Sequence, residues 1–134
     1  MRRLLLLLFL MIAPLSGLHA GECANATSQK AMDDCAGKAF KASDAELNAL
    51  YKQIEQRLKS DADTTKLLVA AQRAWVAFRD AECVFSSSGS AGGSVNPMIY
   101  AMCLDRLTKA RTSDLKGYLK CEEGDTSCPV PPAN

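Results

Sequence analysis

Apolar positions recur with a helical period through most of the chain beyond residue 20. From about Thr27 to Ala42, Met32, Cys35, Ala36, Ala39 and Phe40 stand at i, i+3, i+4, i+7 and i+8, which predicts a first helix. Gly37 within it lowers helix stability by ~1 kcal/mol relative to alanine, and a residue that small would let a neighbour pack closely. Ser43-Asp44-Ala45-Glu46 then reads as a capping box, in which the serine oxygen accepts from the third helical amide and the glutamate reaches back to the cap. It is expected to open a second helix with the stripe Leu47, Leu50, Tyr51, Ile54 and Leu58. Ser60-Asp61-Ala62-Asp63 breaks the pattern, and Asp63 is the expected cap of a third helix from about Thr64 to Phe85. A fourth follows Asn96, read as its cap, with Pro97 at the first helical position, and ends near Leu119 or Lys120. Its apolar face carries Tyr100, Cys103, Leu104, Leu107, Leu115 and Tyr118. No segment reads as a strand. The expected fold is all-α, a small disulfide-stapled bundle of about four helices.

The stretch Ala71 to Cys83 holds the single tryptophan. Leu68, Ala71, Trp75, Phe78 and Phe85 fall along one side of it, predicting an aromatic seam in the core on which the other helices pack. Four polar residues lie on or beside apolar stripes, Asn48, Gln72, Arg79 and Arg111, and each must find hydrogen-bond partners once covered. Arg79 stands one turn from Trp75 and three residues from Glu82, so it reads either as a surface pair with that glutamate or as a buried clamp stacked on the indole. Arg111, inside an apolar stripe, wants a carboxylate or carbonyl partner.

Composition changes the picture at the N-terminus first. Met1-Arg2-Arg3, an apolar block from Leu4 to Ala13, the breakers Pro14 and Gly17, and Ala20 form a secretory signal peptide, with cleavage expected after Ala20 and no membrane anchor afterwards. Of the 16 basic residues, Arg2 and Arg3 leave with the signal, so 14 face 15 acidic ones, a net charge of −1. That balance argues against a nucleic-acid or membrane-surface binder. The one histidine, His19, lies in the signal, so the exported chain has no Ser-His or Cys-His pair and no ordinary histidine-containing zinc site. No cofactor or metal is expected.

All six cysteines, Cys23, Cys35, Cys83, Cys103, Cys121 and Cys128, follow the signal, which in an exported chain implies three disulfides, hence a periplasmic or secreted protein. Fifteen pairings are possible, and the economical one joins neighbours along the chain. Cys83 with Cys103 is the best supported of these, because a short connection makes the third and fourth helices antiparallel neighbours. That connection, Ser86 to Asn96, has no apolar face and reads as a mobile loop. Ser86, Ser87, Ser88, Gly89, Ser90, Gly92, Gly93 and Ser94 form a candidate binding loop, although a plain connector would look the same. After Lys120, Cys121 to Cys128 is an acidic stapled loop, and Pro129-Val130-Pro131-Pro132 cannot continue a helix.

Cys23 with Met32-Asp33-Asp34-Cys35, Asp44 through Tyr51, Ala71-Gln72-Arg73-Ala74-Trp75, Arg79-Asp80 and Cys83, then Cys103, Leu107-Thr108, Arg111 and Leu115 together resemble the lysozyme inhibitor LprI-like N-terminal domain. The resemblance spans the chain up to Tyr118 and implies a helical, disulfide-bonded domain of the bacterial envelope. It divides the sequence into a signal peptide (1–20), the helical domain (21–120) and a disulfide loop with a proline-rich tail (121–134). It also implies a protein partner, a lysozyme or related muramidase; a non-inhibitory structural or interaction module is the alternative. An enzyme is not expected: Asp44, Glu46, Asp80 and Glu82 could in principle serve glycoside hydrolysis, but acidic residues on helix surfaces are ordinarily a solvated face.

Overall fold

Three long helices carry the fold in a computed structural model that describes residues 23–133: α1 (Gln29–Arg57), α2 (Ala62–Ser87) and α3 (Asn96–Leu119), with a 3-10 turn at Ser88–Ser90. The expected signal peptide and its cleavage site lie outside the described residues. The predicted first and second helices are one. Ser28 caps α1 by accepting from the Ala31 amide, and the helix then continues through the capping-box sequence. Ser43 is buried there and donates its hydroxyl back to the Phe40 carbonyl, so it cannot act as a cap. The reason is the stripe itself: Ala36, Ser43, Leu47, Ile54 and the C-cap Leu58 are all buried at spacings of seven and four, and breaking the helix at residue 43 would split that continuous face.

α2 is capped by Asp61 rather than Asp63, its side chain accepting from the Thr64 amide at 2.9 Å. α3 starts one residue earlier than predicted, with Val95 in the cap position and Asn96 already helical. α1 and α3 run in the same direction. Arg57 at the end of α1 donates to the Leu119 carbonyl at the end of α3 (2.8 Å), and Met32 and Met98 near their starts line one cavity. That arginine satisfies a carbonyl otherwise orphaned at a helix C-terminus and complements its negative dipole end. α2 runs opposite to both.

α3, not the tryptophan helix, is the hub: α1 packs most extensively against α3, and α2 also leans on α3 far more than on α1. The main apolar cluster joins Leu47, Ile54, Leu58 and Leu115 with Cys121 and Val130 of the tail, and Trp75 packs on its edge. A smaller cluster surrounds Cys83, Cys103 and Leu104, with Phe40, Tyr100 and Leu107 against it. Three of the residues assigned to the aromatic seam are not in the core: Ala71 is exposed, Phe78 is 56 % and Phe85 75 % exposed. The face of α2 that turns inward instead carries Arg79, Cys83 and Ser87. Gly37 does not serve close packing either; a Cβ there would meet nothing within 4 Å.

The bridges are Cys23–Cys35, Cys83–Cys103 and Cys121–Cys128, the neighbour pairing. Among the described residues no helix is long and apolar enough to cross a membrane.

Candidate functional site

Arg79 is the point at which all three helices meet. Its side chain is 10 % exposed. Nη1 donates to Asp44 Oδ1 of α1 at 3.1 Å and, over 3.5 Å, to Thr108 Oγ1 of α3, while Nε donates to Asp80 Oδ1 at 2.9 Å. Its guanidinium carbon lies 5.2 Å from the Trp75 ring centroid and 5.3 Å from that of Phe40, so the cation is sandwiched between aromatic faces as well as paired. This is the clamp reading of Arg79, but with Asp44 and Asp80 as partners in place of Glu82. Both carboxylates are more than a third exposed, so each pair contributes nearer the ~1 kcal/mol of a surface ion pair than the value of a buried one. The larger penalty would come from stranding the guanidinium without them.

The other polar residues divide. Gln72 and Arg111 are half-buried and meet each other, Arg111 Nε donating to Gln72 Oε1 at 3.2 Å across the α2–α3 contact. The partner of Arg111 is thus an amide, with the Asp114 carboxylate more distant at 3.9 Å. Asn48 does not reach a helix contact: it is exposed and donates to Asp44 Oδ2 at 3.0 Å, one turn back on its own helix. Its effect on the clamp is therefore indirect, through the carboxylate that Arg79 uses. Sequence reasoning named Asp44 and Thr108 but did not bring either of them to Arg79. The i, i+4 pairing of Asp44 with Asn48 was one available signal, and a threonine in the helical slot between Leu104 and Leu115 was another.

An open groove of about 390 Å³ runs beside the clamp between α1 and α2, where Asp44, Asn48, Tyr51, Gln72, Arg73 and Arg79 line it. Burial, with the Glu55 carboxylate adding to it, pushes the Tyr51 phenol above its ordinary value. The carboxylates weighed for hydrolysis are largely committed: Asp44 and Asp80 to Arg79, and Glu46 to Lys116 of α3 at 2.6 Å. Among the described residues no three His, Cys, Asp or Glu side chains gather as metal ligands would.

The candidate loop differs from the expected mobile segment. Ser86 and Ser87 belong to α2, and the rest is a chain of hydrogen-bonded turns. Asn96 Nδ2 donates to the Ser87 carbonyl (3.0 Å) and to Ser90 Oγ (3.1 Å), and Ser90 Oγ donates to the Ser87 carbonyl (2.8 Å). Asn96 thus ties the turn down rather than capping α3. Backbone bonds from Ala91, Gly93 and Asn96 continue the series, and Gly92 supplies the positive φ (80°) that the last reversal requires. Below the turn, Cys83–Cys103 locks the ends of α2 and α3 together. Ser88, Gly89 and the segment 91–94 remain exposed at the tip.

Residues 22–115 match the family described as Lysozyme inhibitor LprI. An uncharacterised protein of Rhizobium meliloti (strain 1021) is 33 % identical over 113 residues, which cover 76 % of this chain and 81 % of that protein. No solved structure matches the chain.

Proposed function

The chain belongs to the lysozyme inhibitor LprI family, and from that premise we propose that it is an exported, non-catalytic binding protein that captures a lysozyme or related muramidase in the periplasm or outside the cell. The observation that carries the reading is the pinned tip between α2 and α3. It presents hydroxyls and bare backbone from Ser88, Gly89 and residues 91–94, the polar groups that a saccharide-binding cleft is built to receive. Because Asn96, Ser87 and Ser90 already hold its shape, binding would order little further chain, which lowers the entropic cost. The three disulfides suit an oxidising compartment. A net charge of −1 after signal removal means that recognition would rest on shape and hydrogen bonding more than on steering toward a basic enzyme.

The test uses the chain from Gly21 onward, which contains every described element. It should slow lysozyme-driven lysis of cell-wall suspensions at micromolar concentration or below, about −8 kcal/mol of binding. A Cβ at Gly89 meets nothing within 4 Å and the backbone there is not left-handed, so Gly89→Arg fits the fold while filling the tip. Inhibition should vanish in that variant with the melting temperature unchanged. Full inhibition by the variant would move the site off the tip, and absence of binding by the parent protein would sink the inhibitor reading itself.

A further inference from the structure

We propose that the outer face of α2 is a self-association surface on which a second copy of this chain packs antiparallel. Leu67, Ala71, Ala74, Phe78, Ala81 and Phe85 follow one another at spacings of four, three, four, three and four, the period of a two-helix seam. Every one of them is exposed, Leu67 at 70 %, Phe78 at 56 % and Phe85 at 75 %. Ala70, Ala77 and Val84 widen the same side, also exposed, and no charged residue interrupts the strip between Leu67 and Phe85. A continuous apolar strip of this length on one molecule marks an interaction surface.

The pattern is complementary to itself. In a two-fold antiparallel pair centred on the strip, Phe78 of one copy falls beside Ala74 of the other, Ala71 beside Ala81, and Leu67 beside Phe85. Alanines at the middle allow the helix axes to come close while each phenylalanine fills the space beside one. The charges on the rim select the same arrangement. Arg73 and Asp80 lie seven residues apart along one edge of the strip, hence on one side of the helix. Antiparallel pairing sets Arg73 against Asp80 of the second copy, twice by symmetry, whereas parallel pairing turns this edge of each copy toward the opposite edge of the other and leaves both charges unpaired with each other. Arg73 is exposed and makes no ion pair among the described residues. Asp80 uses only Oδ1 on Arg79, which leaves its second oxygen for another donor.

Sedimentation equilibrium of the exported chain from micromolar to several hundred micromolar, without lysozyme so that the inhibitor reading does not enter, tests this. A monomer–dimer equilibrium is expected. Phe78 belongs to neither apolar cluster, so Phe78→Glu should leave the melting temperature unchanged while raising the dimer Kd about tenfold or more. Arg73→Glu places two like charges at each rim contact and should also weaken the dimer, more at low salt than at high. A parent chain that stays monomeric throughout would overturn the proposal and assign the strip to a different protein. A Phe78→Glu dimer as tight as the parent's would overturn it too, by placing the contact elsewhere, and indifference to Arg73→Glu would overturn the antiparallel register.

Discussion

At Arg79 a single side chain serves three helices, and removing it costs more than removing either of its partners. Arg79→Ala leaves Phe40 and Trp75 facing a void and Thr108 without its donor, an expected loss of ~2–4 kcal/mol. Asp44→Ala leaves the guanidinium still paired with Asp80 and should cost nearer 1 kcal/mol, since Asp44 is more than a third exposed and its pair is screened. Urea melts of the two variants check the order, and equal losses would mean that the ion pair, not the packing, sets the value. Two threonines of α3 allow a finer comparison. Both are buried, but Thr108 Oγ1 accepts from Arg79 while Thr112 Oγ1 has no protein partner. Thr108→Val should therefore destabilise by ~1 kcal/mol, whereas Thr112→Val, which replaces an unsatisfied hydroxyl with a methyl of like shape, should be neutral or stabilising. The same substitution on the same helix with the same sign at both sites would contradict this assignment.

At the scale of an element, the start of α2 shows how a local signal becomes a pH-dependent one. The Thr64 amide, and then its hydroxyl, hold the Asp61 carboxyl below its ordinary value. A carboxyl lowered on folding contributes stability that is fully present above its unfolded value, near pH 4, and lost as pH falls through the folded one. Asp61→Asn keeps a capping acceptor but has no proton to gain. The parent chain should accordingly lose melting temperature relative to Asp61→Asn as pH drops from neutrality to below about 4. A difference between the two that does not change with pH would show that the cap bonds do not favour the charged form. The clearest disagreement between pattern and structure also belongs to α2. Its outward strip of leucine, alanines, valine and phenylalanines is wholly apolar, whereas its inward face mixes Leu68 and Trp75 with Gln72, Arg79, Cys83 and Ser87, so hydrophobicity alone does not orient the helix correctly.

For the whole molecule, the tail past the matched family region is part of the structure. Val130 is 3 % exposed and, with Cys121, completes the cluster around Leu58 and Leu115. Val130→Ala removes two buried methyl groups and should lower stability by ~1–2 kcal/mol in denaturant melts. A change within error would mean that the tail lies on a core already complete without it. The Cys121–Cys128 bridge closes the loop from which this valine returns to the bundle, so a short staple positions a contact that the helices could not supply.

What the sequence determined by itself was local or combinatorial. Helical periodicity set the all-α class and placed the ends of α2 and α3 to within a residue or two, because those signals lie in neighbouring residues. An even cysteine count with short separations led to the neighbour pairing for a related reason, since short loops are the simplest to close. The quoted motif blocks carried the family. Tertiary structure alone decided the rest. It ran α1 through a well-formed capping box, because Leu47, Ile54 and Leu58 bury against α3 only if the stripe from Ala36 is unbroken. It turned Arg79 and Cys83 inward and left Phe78 and Phe85 in water, because a disulfide to Cys103 and a guanidinium with partners on both other helices constrain the rotation of α2 more strongly than the transfer energy of two rings. It made a tied turn of a Ser/Gly segment through Asn96, whose partners lie six and nine residues back at a distance that only the folded chain closes.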